Sequence, residues 1–337
     1  MIPRSPSARI RTHDDADWRR LWREAVTDPV ELLQLLRLET LLPKLPVDDA
    51  GFALRVPRGF IARMRPGDPR DPLLLQVLPQ CAEQEVVSGF VTDAVGDLAA
   101  RTAQGVLHKY HGRALLIASG SCAINCRYCF RRHFPYGEEI AAAGQWRHAL
   151  EHVRRDHSIR ELILSGGDPL ALADTKLGEL AQGLRDLPHI RSLRIHTRLP
   201  VVLPERIDEG FMRWFAALPL RKIVVLHANH PQEFDDTVDA ACARLREAGA
   251  LLLNQTVLLR DINDTTDIQC ALSERLLDAA VTPYYLHQLD HVQGAAHFEV
   301  DDAHARQLID AMRARLPGYL VPRLIREIAG ETYKHPL

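Results

Sequence analysis

Cysteine is scarce in this chain, at six in 337 residues, with no paired spacing pattern. The opening Met1-Ile-Pro-Arg-Ser-Pro has none of the apolar core that marks a secretory leader. Together these exclude a disulfide framework and lead us to expect a reducing, cytoplasmic setting. No apolar run approaches the roughly 20 residues that cross a bilayer, so no membrane span is expected. Net charge is small too: 42 Lys+Arg against 44 Asp+Glu leave −2. That argues against a chain whose main task is coating nucleic acid, although a local basic patch stays open. Lysine is scarce, most of the positive charge being arginine. What is present is ordinary for a globular protein: 46% hydrophobic and 26% charged residues, enough to bury a full core in one large domain or two smaller ones.

The first hundred or so residues read as a helical lead-in. Trp18, Leu21, Trp22 and Val26 recur at helical spacing with Asp14 and Asp15 as candidate caps, and Asp28-Pro29 ends one helix and starts another. From 42 to 79 prolines and glycines break every pattern, and 86–98 reads as one more helix. From Arg113 a repeat begins. Strand-like apolar runs occupy 114–118, 161–165, 192–196, 222–227, 251–258 and 282–287. After the first, they recur about every 30 residues, the size of a βαβ unit. Amphipathic helical patterns lie between them, one with Asp174 as its cap and another from Asp235 to a closing Gly249.

Six successive β-α units imply a parallel sheet, either open and doubly wound or curved into a part-barrel. No G-x-G-x-x-G follows the first run, which removes the usual support for a dinucleotide-binding version. In either architecture the chemistry sits beyond the C-terminal ends of the strands. Those ends are polar here: Ser165-Gly166-Gly167-Asp168, His196-Thr197-Arg198, His227-Ala228-Asn229-His230, Asn254-Gln255 and His287-Gln288-Leu289-Asp290.

The loop after the first strand holds Cys122-Ala-Ile-Asn-Cys126-Arg-Tyr-Cys129. Three thiolates within eight residues can hold three irons of a cubane and leave the fourth without a protein ligand, whereas a cluster that only passes electrons usually has four cysteine ligands. Two plainer readings stand beside this one. The three can be small buried apolar side chains, or a structural zinc site that takes His133 as its fourth ligand. Cys81, Cys242 and Cys270 are scattered and read as small buried hydrophobes.

The C-x-x-x-C-x-x-C loop, followed by Ser-Gly-Gly-Asp after the second strand, resembles the radical S-adenosylmethionine (SAM) enzymes. In that family the open iron of a [4Fe–4S] cluster binds SAM. The resemblance narrows with His-Lys-Tyr110-His-Gly-Arg113 before the motif and Arg131-Arg132 just after it. Pro200-Val-Val-Leu-Pro204, the stretch from Asn254 through Arg260 to Asn263, and Pro283-Tyr-Tyr-Leu-His-Gln-Leu-Asp290 extend it. Together they look like lysine 2,3-aminomutase, from about residue 70 onward. Tyr319 to Glu331 resembles the tail of the short branch that makes β-lysine for modifying translation elongation factor P.

This resemblance implies an α/β fold: a radical SAM partial (β/α)6 TIM-like barrel over 106–318, an N-terminal helical extension over 1–105, and a short C-terminal segment over 319–337. It implies three cofactors, a [4Fe–4S] cluster, SAM and pyridoxal phosphate (PLP). Cys122, Cys126 and Cys129 match the cluster ligands. Lys334 matches the catalytic lysine that carries PLP. Tyr110 and Arg113 match PLP contacts, the arginine suited to phosphate by its planar fork. Tyr128, Gly166, Gly167, Asp168, His227 and Gln255 match positions around SAM, the glycines allowing close backbone approach. Arg131 matches the arginine that pairs with the substrate carboxylate. Asp290 matches an acid that reads the distant ammonium of lysine, and Glu327 stands where larger relatives carry a second. His196 and His230 are read as structural.

Without the resemblance, Lys334 is a solvated tail residue, Arg131-Arg132 a basic surface, Ser-Gly-Gly-Asp a strand-to-helix turn and Glu327 a helix-surface acid. Two departures are visible: Gly330-Glu-Thr-Tyr-Lys334 replaces a glycine-rich run, and a cysteine-rich zinc tail is missing. The reaction implied is the conversion of L-lysine to (R)-β-lysine, fed by a flavodoxin- or ferredoxin-type electron donor and linked to elongation factor P and its lysyl-transferring enzyme. Oligomeric state stays open, homo-oligomers included. The alternatives are an aminomutase for glutamate or another amino acid, and an iron–sulfur or zinc-bearing module that binds RNA or a translation factor.

Overall fold

The computed structural model describes residues 18–47, 51–137, 140–142 and 146–337; the candidate caps Asp14 and Asp15 lie outside them. The lead-in contains α1 (Trp18–Arg23), α2 (Pro29–Leu35), α3 (Arg58–Ile61) and α4 (Pro72–Leu75). Asp28 caps α2 by accepting from the Val30 amide at 2.8 Å, and Asp71 caps α4 through the Leu73 and Leu74 amides. The helix expected over 86–98 does not form. Gly89 and Gly96 take φ of +87° and +67°, and the Asp93 carboxylate accepts from the Asp97 and Leu98 amides, so the stretch folds as turns. The expected boundary at 105/106 cuts a hairpin, β1 (Arg101–Ala103) and β2 (Val106–Tyr110), which turns at Gly105.

One ten-stranded sheet follows chain order throughout. β2 pairs antiparallel with β3 (Arg113–Ser119). From there every pairing is parallel through β4 (Glu161–Gly166), β5 (Ser192–Thr197), β6 (Arg221–Leu226), β7 (Ala250–Val257), β8 (Thr282–His287) and β9 (Arg323–Arg326). β10 (His335–Pro336) closes the order by pairing antiparallel with β9. A doubly wound sheet must reverse its strand order at a switch point. This one never reverses, so the part-barrel is the outcome. The six expected strands are β3 to β8; β9 and β10 were not foreseen.

Helices α5 (Arg147–Arg155), α6 (Asp174–Leu184), α7 (Leu199–Val202), α8 (Glu209–Ala216), α9 (Asp236–Glu247), α10 (Thr266–Asp278) and α11 (Asp302–Arg315) fill the crossovers. Gly249 ends α9 at φ +81° as expected. Asp174 is not the cap of α6, which is Ala173; its carboxylate instead takes Arg206 at 2.7 Å. Alternate strand residues face opposite sides. Leu162 and Leu164, Leu193 and Ile195, and Val224 and Leu226 meet Leu177 and Leu180 of α6 and Val238 and Leu245 of α9 in one apolar cluster. Leu32, Leu33, Leu73 and Leu74 of the lead-in belong to that same cluster. Each is fully buried and contributes about 2 kcal/mol, so the lead-in is held to the barrel by the barrel's own core. Cys242 and Cys270 are buried as expected, but Cys81 is exposed. No helix among the described residues is long and apolar enough to cross a membrane.

Candidate active site

The strand residues that do not face the helices face a cavity of about 330 Å³ at the polar strand ends. The register of two is visible in its wall: Ile163 and Ser165, Arg194 and His196, Val225 and His227, Gln255 and Val257, Tyr285 and His287. All fifteen residues singled out from the sequence line this one cavity. They are Cys122, Cys126 and Cys129; Tyr110, Arg113 and Lys334; Tyr128, Gly166, Gly167, Asp168, His227 and Gln255; and Arg131, Asp290 and Glu327.

The cysteine loop is held against β4 by the absence of side chains there. A Cβ on Gly166 would stand 2.6 Å from the Ser119 carbonyl oxygen, and one on Gly167 2.6 Å from that of Ser121. The Gly167 and Asp168 amides donate to those same oxygens at 2.7 and 2.8 Å. The close approach that the glycines permit is therefore to the cysteine loop. Asp168 is likewise committed within the chain: its oxygens accept from the Thr197 hydroxyl and from the Leu170, Arg198 and Leu199 amides. Burial raises its carboxyl above the usual range.

All three cysteines are free thiols. Burial pushes Cys122 well up and Cys129 to about 11, so both are neutral until a cation displaces the proton. Arg198 donates to the Cys126 sulfur at 2.7 Å. The zinc reading loses its fourth ligand, because the exposed His133 has Nε2 3.1 Å from the Gln293 carbonyl oxygen. Among the described residues no three His, Cys, Asp or Glu side chains are grouped for a single metal ion. Tyr128 stacks on His227 with ring centroids 5.7 Å apart, its hydroxyl 3.1 Å from Nε2. Burial lowers His227 to about 3, and His196 and His287 fall well below their ordinary value, so all three are neutral imidazoles. Nε2 of His196 and of His287 is buried in the wall without a hydrogen-bond partner among the described residues.

The charged end of the cavity is a chain of alternating signs. Arg131 donates from Nε to Asp97 at 2.7 Å and from Nη1 to the Ser165 hydroxyl at 2.8 Å. Lys109 bridges Asp97 at 2.6 Å and Glu327 at 3.1 Å, and Lys334 reaches the other oxygen of Glu327 at 2.6 Å. Burial opposes ionisation of Glu327, but Lys334 and Lys109 overcome it and hold the carboxyl at about 2. Asp290 forms no ion pair among the described residues, and Lys334 and Lys109 pull on it only from a distance. Burial, then the charge on Glu327, raises it to about 7. Arg113 lies across the Tyr110 ring at 5.2 Å and has no acidic partner among the described residues.

Three plain readings fall here. Arg131 is buried and the Arg132 side chain is covered where it meets Glu83 at 2.9 Å, so they form no basic surface. Glu327 follows a strand, not a helix. Lys334 is paired and largely buried, because β10 returns along β9 and draws it inward. Asp97 and Lys109 were missed. Asp97 lies among turns with no strand-end signal, and Lys109 alternates out of a strand that was not foreseen. Arg198 was legible only as a polar strand end.

No family model matches the chain. Similar proteins named L-lysine 2,3-aminomutase occur in Escherichia coli K12, at 49% identity over 97% of this chain and 96% of that one, and in Haemophilus influenzae, at 42% over 99% and 98%. Another of that name, from Clostridium subterminale, is 30% identical over 96% of this chain and 79% of its own length. Among solved structures, a radical SAM methyltransferase from Sphaerobacter thermophilus overlays with a TM-score of 0.49 at 15% identity, covering 66% of this chain and 68% of that one, too distant a likeness to weigh. With identity running nearly end to end through relatives of one name, the chain belongs to the L-lysine 2,3-aminomutase family.

Proposed function

We propose that this aminomutase is of the radical SAM type and converts L-lysine to (R)-β-lysine with a [4Fe–4S] cluster, SAM and PLP. The observation that carries the reading is the convergence of three free thiols, an uncommitted guanidinium, an amine and two acids on one cavity. The wall suits these groups. Three free thiols close together fit iron, Arg113 fits a phosphate, and the Nε2 atoms of His196 and His287, unpartnered among the described residues, offer polar contacts to a bound molecule.

When bound, the cluster with SAM supplies a radical that takes hydrogen from carbon 3 of lysine, and PLP supplies the group on which nitrogen crosses to that carbon. The protein's part is to hold and to orient. Cys122, Cys126 and Cys129 would hold three irons. Tyr110 and Arg113 would hold the phosphate of PLP, and Lys334 would carry it. Arg131, fixed by Asp97 and Ser165, takes the substrate carboxylate. Asp290 takes the distant ammonium, with Glu327 as the second acid of that pocket. Two acids select lysine over glutamate, since a mismatched substrate leaves buried charge unpaired. Tyr128, His227 and Gln255 line the SAM side, with Gly166, Gly167 and Asp168 bracing the cysteine loop beneath. Leu107, Val225 and Val257 make the interior apolar and keep water from the reacting carbons.

We read the product as serving elongation factor P in the cytoplasm. One feature supports this: the resemblance of the Tyr319–Glu331 tail to that of the short branch. The test is an anaerobic assay of the reconstituted protein with L-lysine, SAM, PLP and a strong reductant, followed by chromatography of the amino acids. β-Lysine in many-fold excess over SAM consumed is expected. No β-lysine, with cluster and PLP both shown to be bound, overturns the reading, and turnover of L-glutamate instead replaces the substrate.

A further inference from the structure

Behind the cysteine loop lies a charged network to which no step above assigns a role. Arg198 is 6% exposed, and its guanidinium is a fork with every tine but Nε engaged. Nη1 donates to the Cys126 sulfur and to the Tyr128 hydroxyl, each at 2.7 Å. Nη2 donates to Gln76 Oε1 at 2.7 Å and to Glu233 Oε2 at 2.9 Å. Glu233 has no solvent exposure, and it is pinned in turn. It accepts from the Asn229 amide at 2.8 Å, the His230 amide at 3.1 Å and Gln76 Nε2 at 3.2 Å. At the other end of the residue, the Arg198 amide donates to Asp168 at 2.7 Å. Both the backbone and the guanidinium of Arg198 are thus fixed before any iron arrives.

The three thiols are treated unequally. Cys122 and Cys129 receive backbone donors, from Asp168 and Arg131 respectively. Cys126 receives a full positive charge. A buried guanidinium with its own carboxylate is costly to assemble, and its pairing with Glu233 does not explain why the remaining nitrogen points at sulfur.

We infer that Arg198 is a positioning residue that orients the Cys126 sulfur and raises the reduction potential of the cluster held there. The inference rests on the cluster reading above. Adding an electron to the cluster makes it more negative. A cation and hydrogen-bond donor on a ligating sulfur stabilises that reduced state more than the oxidised one, and the dry surroundings keep the effect from being screened. Glu233 holds the donor in place, and Tyr128, which shares Nη1, ties the same network to the cavity wall.

The test uses the reconstituted holoenzyme, wild type beside two variants, without lysine or SAM. Arg198→Lys keeps the charge but loses the fork. Arg198→Met alone would strand the buried carboxylate of Glu233, so it is combined with Glu233→Gln. Iron and sulfide content, circular dichroism, and the midpoint potential from an electron paramagnetic resonance titration are measured. The expected result is full cluster loading in all three, with the potential shifted lower in both variants and further in the double one. Loss of iron from a variant whose fold is intact also supports the inference, because the thiol has lost its holder. Fully loaded variants with a potential that superimposes on the wild type overturn it, even if they melt earlier, since that is the signature of a purely structural residue. Wild-type protein that takes up no cluster fails the underlying reading instead, and is told apart by its iron content.

Discussion

Asp290→Asn separates the stability cost of this acid from its proposed role on the substrate ammonium. In the free protein its carboxyl is raised from 3.8 to about 7 by burial and by the charge on Glu327. The folded protein therefore keeps a proton that the unfolded chain has lost between about pH 4 and pH 7. Stability falls as pH rises through that window and levels off above it. The gap is worth about 4 kcal/mol at 1.36 kcal/mol per unit. Asparagine cannot ionise, so the variant should melt higher than wild type at pH 8, and the difference should vanish toward pH 4. Activity should move the other way. Removing one partner of a buried ion pair costs about 3–5 kcal/mol, so kcat/KM for L-lysine should fall roughly a hundredfold or more. Wild-type kcat/KM should climb about tenfold per pH unit up to about pH 7, as the carboxylate forms, and then flatten. The variant should lack that rise. Thermal melts at several pH values and a pH–rate profile decide it. An Asp290→Asn protein that is less stable than wild type at pH 8, or that keeps kcat/KM within a few-fold of it, refutes the reasoning.

Cys126→Ala should abolish turnover and cluster binding while the PLP absorbance band remains, because Lys334 and Arg113 do not depend on the cysteine loop. Retained turnover would sink the radical mechanism. Glu327→Gln should lower stability at pH 7 by about 3 kcal/mol, since its carboxyl sits at about 2 instead of 4.5. That contribution is present above about pH 4.5 and lost as pH falls toward 2, so melts of variant and wild type should converge in acid. Gly167→Ala drives a Cβ to 2.6 Å from the Ser121 carbonyl oxygen, and backbone cannot give way as a side chain tip would. It should cost about 1–3 kcal/mol and reduce iron content, both measured on purified protein; normal loading would show that the two loops do not need this contact.

The parallel core was legible because its signal is local and repeated. Each strand from β3 to β8 is a short apolar run, and each ends on polar residues that the topology brings to one rim. The flanking strands were not legible for the opposite reason. β1 is three residues long and β10 two, too short to show a period. β10 exists because β9 offers it an edge, a fact about the partner and not about the sequence of β10 itself. The false helix at 86–98 failed on glycine geometry, which periodicity does not see.

The site divides along the same line. Cysteines at fixed spacing and polar strand ends announce themselves, so the residues that line the cavity were legible. The residues that fix those residues were not, because their roles come from distant pairings. Lys109 meets Glu327 across 218 positions, Arg131 meets Asp97 across 34, and Arg198 meets Cys126 across 72. None of these pairs has a spacing that a helix or strand period could reveal. Their geometry nonetheless decides the chemistry. Lys109, with Arg131 and Lys334, is committed to Asp97 and Glu327, and Asp290 is left as the acid whose carboxyl burial raises to about 7. On the proposed reading, selectivity for an ammonium depends as much on where Lys109 is committed as on the acids themselves.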